Sequence, residues 1–99
     1  MPALFAAGLM YARTTFYTLS GITASGEPTH IGVAACSDWL PLGTVLEFSD
    51  GFRVTCLDRG LGGQYWQAWI DVWSPSYSWG EQNVRQKYGD WSWVTVVEP

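Results

Sequence analysis

Thr44-Val45-Leu46-Glu47-Phe48 and Phe52-Arg53-Val54-Thr55-Cys56-Leu57 lie on either side of Ser49-Asp50-Gly51. An Asp-Gly pair between two runs rich in β-branched and aromatic residues marks a two-stranded hairpin, because Gly supplies the positive φ that a tight turn demands. The same texture extends in both directions. Residues 13–19, 32–36, 69–73 and 91–97 are short apolar or Thr-rich runs, each bounded by Gly, Pro, Ser or Asp. The intervening stretches at 21–28, at Leu40-Pro41-Leu42-Gly43 and at 59–63 carry turn and glycine-rich composition. Late in the chain, Ser74 or Ser76 can cap a short helix over 77–88, with Pro75 near its start, Tyr77, Val84 and Tyr88 on one face and Gly89 as its stop. The expectation is a mainly β chain of about six strands with one short helix, closed as a small barrel or packed as a sandwich.

A length of 99 residues is one domain. Residues 1–11 are apolar but lack a basic leading region and a clear cleavage site. They read as an N-terminal arm or a first strand rather than as a signal peptide, ahead of a domain at 12–99. No run is long enough to span a membrane. With only five Lys and Arg and a net charge of −4, no basic stripe is available for nucleic acid. Seven Trp admit two readings: a small core built from large rings, or exposed rings that stack on the faces of sugars.

Strand alternation singles out one acid. In Trp69-Ile70-Asp71-Val72-Trp73 the aliphatic pair shares one face, leaving Asp71 between two indoles on the other. Partial desolvation there raises a carboxyl pKa, as a general acid requires. Asp58 stands where a strand empties into the glycines at 60, 62 and 63, and Gly60 lets the backbone approach a ligand closely. Both acids also have bland readings, Asp58 as a turn cap and Asp71 as an ion-pair partner. Thr23 and Ser25 offer loop hydroxyls to a sugar or simply serve their turn. Cys36 and Cys56 are two buried thiols or one disulfide, and with His30 alone beside them they are too few for a zinc site, so no metal or cofactor is expected.

In order along the chain come Phe16-Tyr17-Thr18, Thr23-Ala24-Ser25-Gly26, Gly32-Val33-Ala34-Ala35, Leu40-Pro41-Leu42-Gly43-Thr44, Leu57-Asp58-Arg59-Gly60, Ile70-Asp71-Val72 and a closing strand through Val94 and Val97. Together these resemble the three-aspartate domain related to the C-terminal part of membrane-bound lytic transglycosylase A. More distantly they resemble the barrels of rare lipoprotein A, the expansins and family 45 endoglucanases. The resemblance spans roughly residues 12–97. It implies a six-stranded double-psi β-barrel, Asp71 as the acid/base and Asp58 as the second aspartate of the same groove. The third aspartate of the family falls on Cys36 here, while Asp38 lies two residues later and could take its place if the loop shifts. The His of the rare lipoprotein branch is absent.

In this frame Cys36 and Cys56 are expected to pair, which implies an oxidising compartment. The substrate implied is peptidoglycan or another polysaccharide, with Trp66, Trp69 and Trp73 supplying sugar subsites. An extracytoplasmic, wall-associated or phage-encoded protein follows. The rivals are a non-catalytic glycan-binding or wall-loosening module and a structural protein that reuses the barrel.

Overall fold

A computed structural model describes residues 8–60 and 68–98. Trp66 and most of the expected N-terminal arm therefore lie outside the described residues. Six strands form the fold: β1 (Leu9–Tyr17), β2 (Val33–Cys36), β3 (Val45–Phe48), β4 (Arg53–Asp58), β5 (Ala68–Trp73) and β6 (Trp91–Glu98). The first strand begins at Leu9 and ends at Tyr17, four residues earlier at its start than residue 13, where the sequence reading begins it. It starts early because Leu9 to Arg13 ladder antiparallel onto β6, a partner that local composition does not reveal.

The sheet closes in the order β1-β5-β2-β4-β3-β6, with β6 returning to β1. β1 runs parallel to β5 and β2 parallel to β4; the other neighbours are antiparallel. Shifting every strand number by three reproduces this pattern. The parallel pair β1·β5 becomes β4·β2, the hairpin β3·β4 becomes β6·β1, and β2·β5 and β3·β6 map onto themselves. The connectivity of β1–β3 thus recurs in β4–β6, and the chain is two interleaved three-strand halves, although no repeat is visible in the sequence.

Alternation fills the interior. Met10, Ala12, Ala34, Cys36, Leu46, Phe48, Val54, Cys56, Ile70, Val72 and Val94 point inward and are buried. Cys36 and Cys56 are joined by a disulfide that ties β2 to β4 inside this core. The hairpin turn is as the Asp50-Gly51 pair implies: Phe52 N–H donates to Asp50 Oδ1 at 3.1 Å, and Glu47 pairs Arg53 across the strands at 3.0 Å.

The helix, α1, covers residues 77–88 and is wound more widely over Glu81–Arg85 than in the flanking Tyr77–Gly80 and Gln86–Tyr88. Ser76 caps it, its hydroxyl accepting from Trp79 N–H at 3.1 Å. Val84 enters the core, and Gly80 lies so close to Phe16 that a Cβ there would come within 2.2 Å of the ring. Tyr88 stacks on Phe48 with centroids 4.2 Å apart, and its hydroxyl donates to Asp50 at 2.9 Å. Gly80, rather than Tyr77, faces the sheet: the wide turn rotates the apolar face, leaving Tyr77 exposed and edge-on to Phe16.

A carboxylate row on the outer face of four strands

The candidate site is built from the outward-facing residues of four neighbouring strands. β5 sends Ile70 and Val72 into the core and turns Trp69 and Asp71 out. Asp71 is opposite Thr15 of β1 on one side and Ala35 of β2 on the other. Ala35 in turn is opposite Asp58 of β4. Residues paired in register share a face of the sheet. Thr15, Asp71, Ala35 and Asp58 therefore form one row, and two ladder steps of about 4.8 Å set the aspartate Cα atoms roughly 10 Å apart.

Asp58 owes its place to an irregularity. Ala34 pairs with Cys56, yet Ala35 pairs with Asp58, skipping Leu57. Strict alternation after the inward Cys56 would turn Asp58 inward as well. The extra residue re-aims the carboxylate outward, as β-bulges do.

The two acids differ in surroundings. Thr15 Oγ1 donates to Asp71 Oδ1 at 2.7 Å, and Trp69 Nε1 donates to Thr15 Oγ1 at 2.9 Å. Because the indole can only donate, it commits the threonine proton to the carboxylate. Among the described residues the second oxygen of Asp71 accepts no hydrogen bond. Burial pushes the Asp71 carboxyl above the usual carboxylate range, with the Thr15 hydrogen bond and the Arg13 charge opposing it. Arg13 itself is held over the Trp69 ring, 4.5 Å from its centroid.

Asp58 is already well engaged. Its Oδ1 accepts from Ala24 N–H at 3.0 Å and from Arg59 N–H at 2.9 Å, and its Oδ2 accepts from the Tyr17 hydroxyl at 3.2 Å. Tyr17 reaches Asp58 on β4 from β1, packed on the way against Trp73 and Val33 of the strands between. Burial, then the charge and hydrogen bond of Asp58, then the charge of Asp71, raise the Tyr17 phenol well above its ordinary value, so it remains a donor. Asp58 thereby fastens the 21–28 loop and the end of β4 to the row. Just beyond, Gly60 adopts φ +122°, a conformation that side chains disfavour.

The other residues named from sequence are distributed unevenly. Trp69 is half-buried within the network. Trp73 is 8% exposed, packed with Tyr17, Val33 and Leu57, and its Nε1 donates to the Leu19 carbonyl at 3.1 Å. It faces away from the core as alternation requires, but a second small apolar cluster covers it, so it offers no open ring to a sugar. Thr23 is likewise buried; its hydroxyl donates to the Glu27 carbonyl and lies 2.8 Å from the Ser25 hydroxyl, closing the loop on itself. Asp38 is exposed in the turn after β2 and touches neither aspartate among the described residues. Cys36, where the resemblance would set a third acid, points into the core in its disulfide and cannot join the row.

Arg13, Thr15, Tyr17 and Ala35 are site residues that the sequence did not single out. Alternation along β1 places Arg13, Thr15 and Tyr17 on one face, but only the register with β5 brings that face to Asp71. A cavity of about 350 Å³ opens beyond the row, lined by Thr14, Thr15, Phe16, Tyr77, Val84, Arg85 and Asp90. It contains neither aspartate; Thr15 is the wall it shares with Asp71. No group of three or more His, Cys, Asp or Glu that could hold a metal ion is found among the described residues, nor any helix long and apolar enough to cross a membrane. No family model, curated protein or solved structure matches this chain.

Proposed function

We propose that this chain is a glycan-cleaving enzyme acting on peptidoglycan, with Asp71 as the acid/base. The observation that carries the reading is the Asp71 carboxyl: partly desolvated, held through one oxygen by Thr15, and set in a row with Asp58 across Ala35. We read the fold as a double-psi β-barrel, supported by the closed six-strand order, the two parallel pairs and the recurrence of connectivity between the two interleaved halves. The disulfide supports an extracytoplasmic or wall-associated setting.

In the proposed reaction, protonated Asp71 gives its proton to the glycosidic oxygen as the bond from that oxygen to the anomeric carbon breaks. The C6 hydroxyl of the same muramyl residue closes on the anomeric carbon and returns its proton to Asp71, leaving an anhydro end. One catalytic carboxyl suffices because the substrate supplies the nucleophile. A Cα spacing of roughly 10 Å, together with the occupied oxygens of Asp58, suits this division: Asp58 holds the frame and adds negative potential facing the developing positive charge. The cavity beside Thr15 is large enough for a ligand group and would receive one sugar.

A second reading, a binding module without turnover, is favoured by one observation. Where the resemblance would set a third acid, this chain has a cysteine locked in the core. One experiment separates the two readings. Wild type incubated with purified peptidoglycan releases soluble fragments with anhydro ends, and Asp71→Asn releases none while still binding. Binding by wild type with no fragments supports the module, and neither binding nor fragments rejects both.

A further inference from the structure

The outer face of β1 and β6 carries three rings that the carboxylate row does not use. Tyr11, Trp91 and Trp93 are 52%, 41% and 55% exposed. Tyr11 stacks on Trp91 with centroids 5.5 Å apart and an interplanar angle of 20°, and meets Trp93 at 4.9 Å and 44°. Single exposed rings are ordinary on protein surfaces. Here Tyr11 touches both indoles, so the three form one continuous surface and less rotamer freedom remains to be lost on binding.

The register connects this surface to the site. Tyr11 is opposite Trp93, and Arg13 is opposite Trp91 on one side and Trp69 on the other. The row Trp91–Arg13–Trp69 thus lies one pleat repeat, about 7 Å, from the row containing Thr15 and Asp71. Tyr11 and Trp93 lie one repeat further out on the same face.

We propose that Tyr11, Trp91 and Trp93 form a second glycan-binding platform, continuous with the Asp71 row, that holds a polysaccharide chain beyond the point of cleavage. The proposal rests on the glycan reading above and extends it to long chains. A pyranose presents a C–H face to a flat ring and hydroxyls at its rim. The platform matches both, because the indole N–H groups of Trp91 and Trp93 and the Tyr11 hydroxyl make no hydrogen bond among the described residues. A wholly apolar partner would bury those donors unpaired. An anionic membrane or nucleic acid is opposed by the net charge of −4 and by the neighbouring acids. Arg13, pinned over Trp69, stands between platform and row as a donor to a chain crossing from one to the other.

The test compares binding of purified peptidoglycan sacculi with binding of a short soluble tetrasaccharide containing muramic acid. Trp93→Ala and, separately, Tyr11→Ala are expected to lower affinity for sacculi about tenfold each, with tetrasaccharide affinity unchanged and Tm lowered by only several degrees through the lost ring contacts. Sacculus affinity equal to wild type in both variants, while wild type binds the tetrasaccharide at the row, overturns the platform and leaves the glycan reading standing. Absence of wild-type binding to either glycan overturns both. A wild-type dimer in sedimentation that Trp93→Ala dissociates overturns the platform in favour of contact between two copies of this chain.

Discussion

Asp58 and Asp71 are both laddered to Ala35, one from each side of β2. A one-methyl side chain between two acids keeps the row low, and Tyr17 braces Asp58 at 3.2 Å from the cluster of Trp73, Val33 and Leu57 beside it. Ala35→Leu puts a branched group between the two acids. Glycan affinity is expected to fall at least tenfold, with a fold cost of about 1–3 kcal/mol from overpacking. Ala35→Gly keeps the gap between the acids open and retains affinity, apart from a strand cost of about 0.5–1 kcal/mol. Equal affinity in Ala35→Leu and wild type would remove the row from the site.

Thr15→Val keeps the shape of the side chain and deletes the hydroxyl that serves both Trp69 and Asp71. Asp71 loses the hydrogen bond that opposes its desolvation, so its pKa rises further above the ordinary value. The loss of cleavage at high pH, where the acid form disappears, is expected to move to higher pH in the variant. The unpaired indole N–H adds a stability cost of about 1–3 kcal/mol. An unchanged pH profile would mean that Asp71 is not the titrating group.

The raised pKa of Asp71 also ties stability to pH. The folded chain keeps this proton to a higher pH than the unfolded chain, whose reference value is 3.8. Between the two values the folded state binds more protons, so the free energy of unfolding falls as pH rises. The cost is absent below the unfolded value and complete above the folded one. Asp71→Asn removes it and can still accept from Thr15. The variant is expected to melt above wild type at pH 7, with the difference vanishing as pH approaches 3.8. Calorimetry across that range checks the sign.

Cys36 and Cys56 are 20 residues apart in sequence. Closing a loop of that size stabilises the fold by about 3 kcal/mol in the chain-entropy view. Replacing both with Ala, or reducing the bond, is expected to lower Tm by on the order of 15 °C. Free thiols in a non-reducing mass measurement of native protein would contradict the pairing.

Much of this architecture was legible in local sequence. Asp50-Gly51 announced its hairpin, Ser76 and Gly89 bracketed the helix, and the alternation of Ile70 and Val72 fixed which way Asp71 points. What stayed hidden depends on long-range pairing. Composition cannot tell that β1 lies between β5 and β6, so Thr15 and Tyr17 were not seen as partners of the acids. Nor can it show the skipped residue at Leu57, without which Asp58 would face the core. Trp73 illustrates the opposite limit: its face was readable, but the small cluster that covers that face was not.

The interleaving of the two halves has a consequence for how the site comes into being. Both acids belong to the second half of the chain, on β4 and β5. The groups that orient or space them, Thr15, Tyr17 and Ala35, belong to the first. Neither segment alone can assemble the row, and an emerging polypeptide lacks it until its late strands have threaded between its early ones. Such distant pairings form slowly. Recovery of glycan affinity after dilution from denaturant would therefore report completion of the whole barrel and lag behind the appearance of the hairpin or the helix.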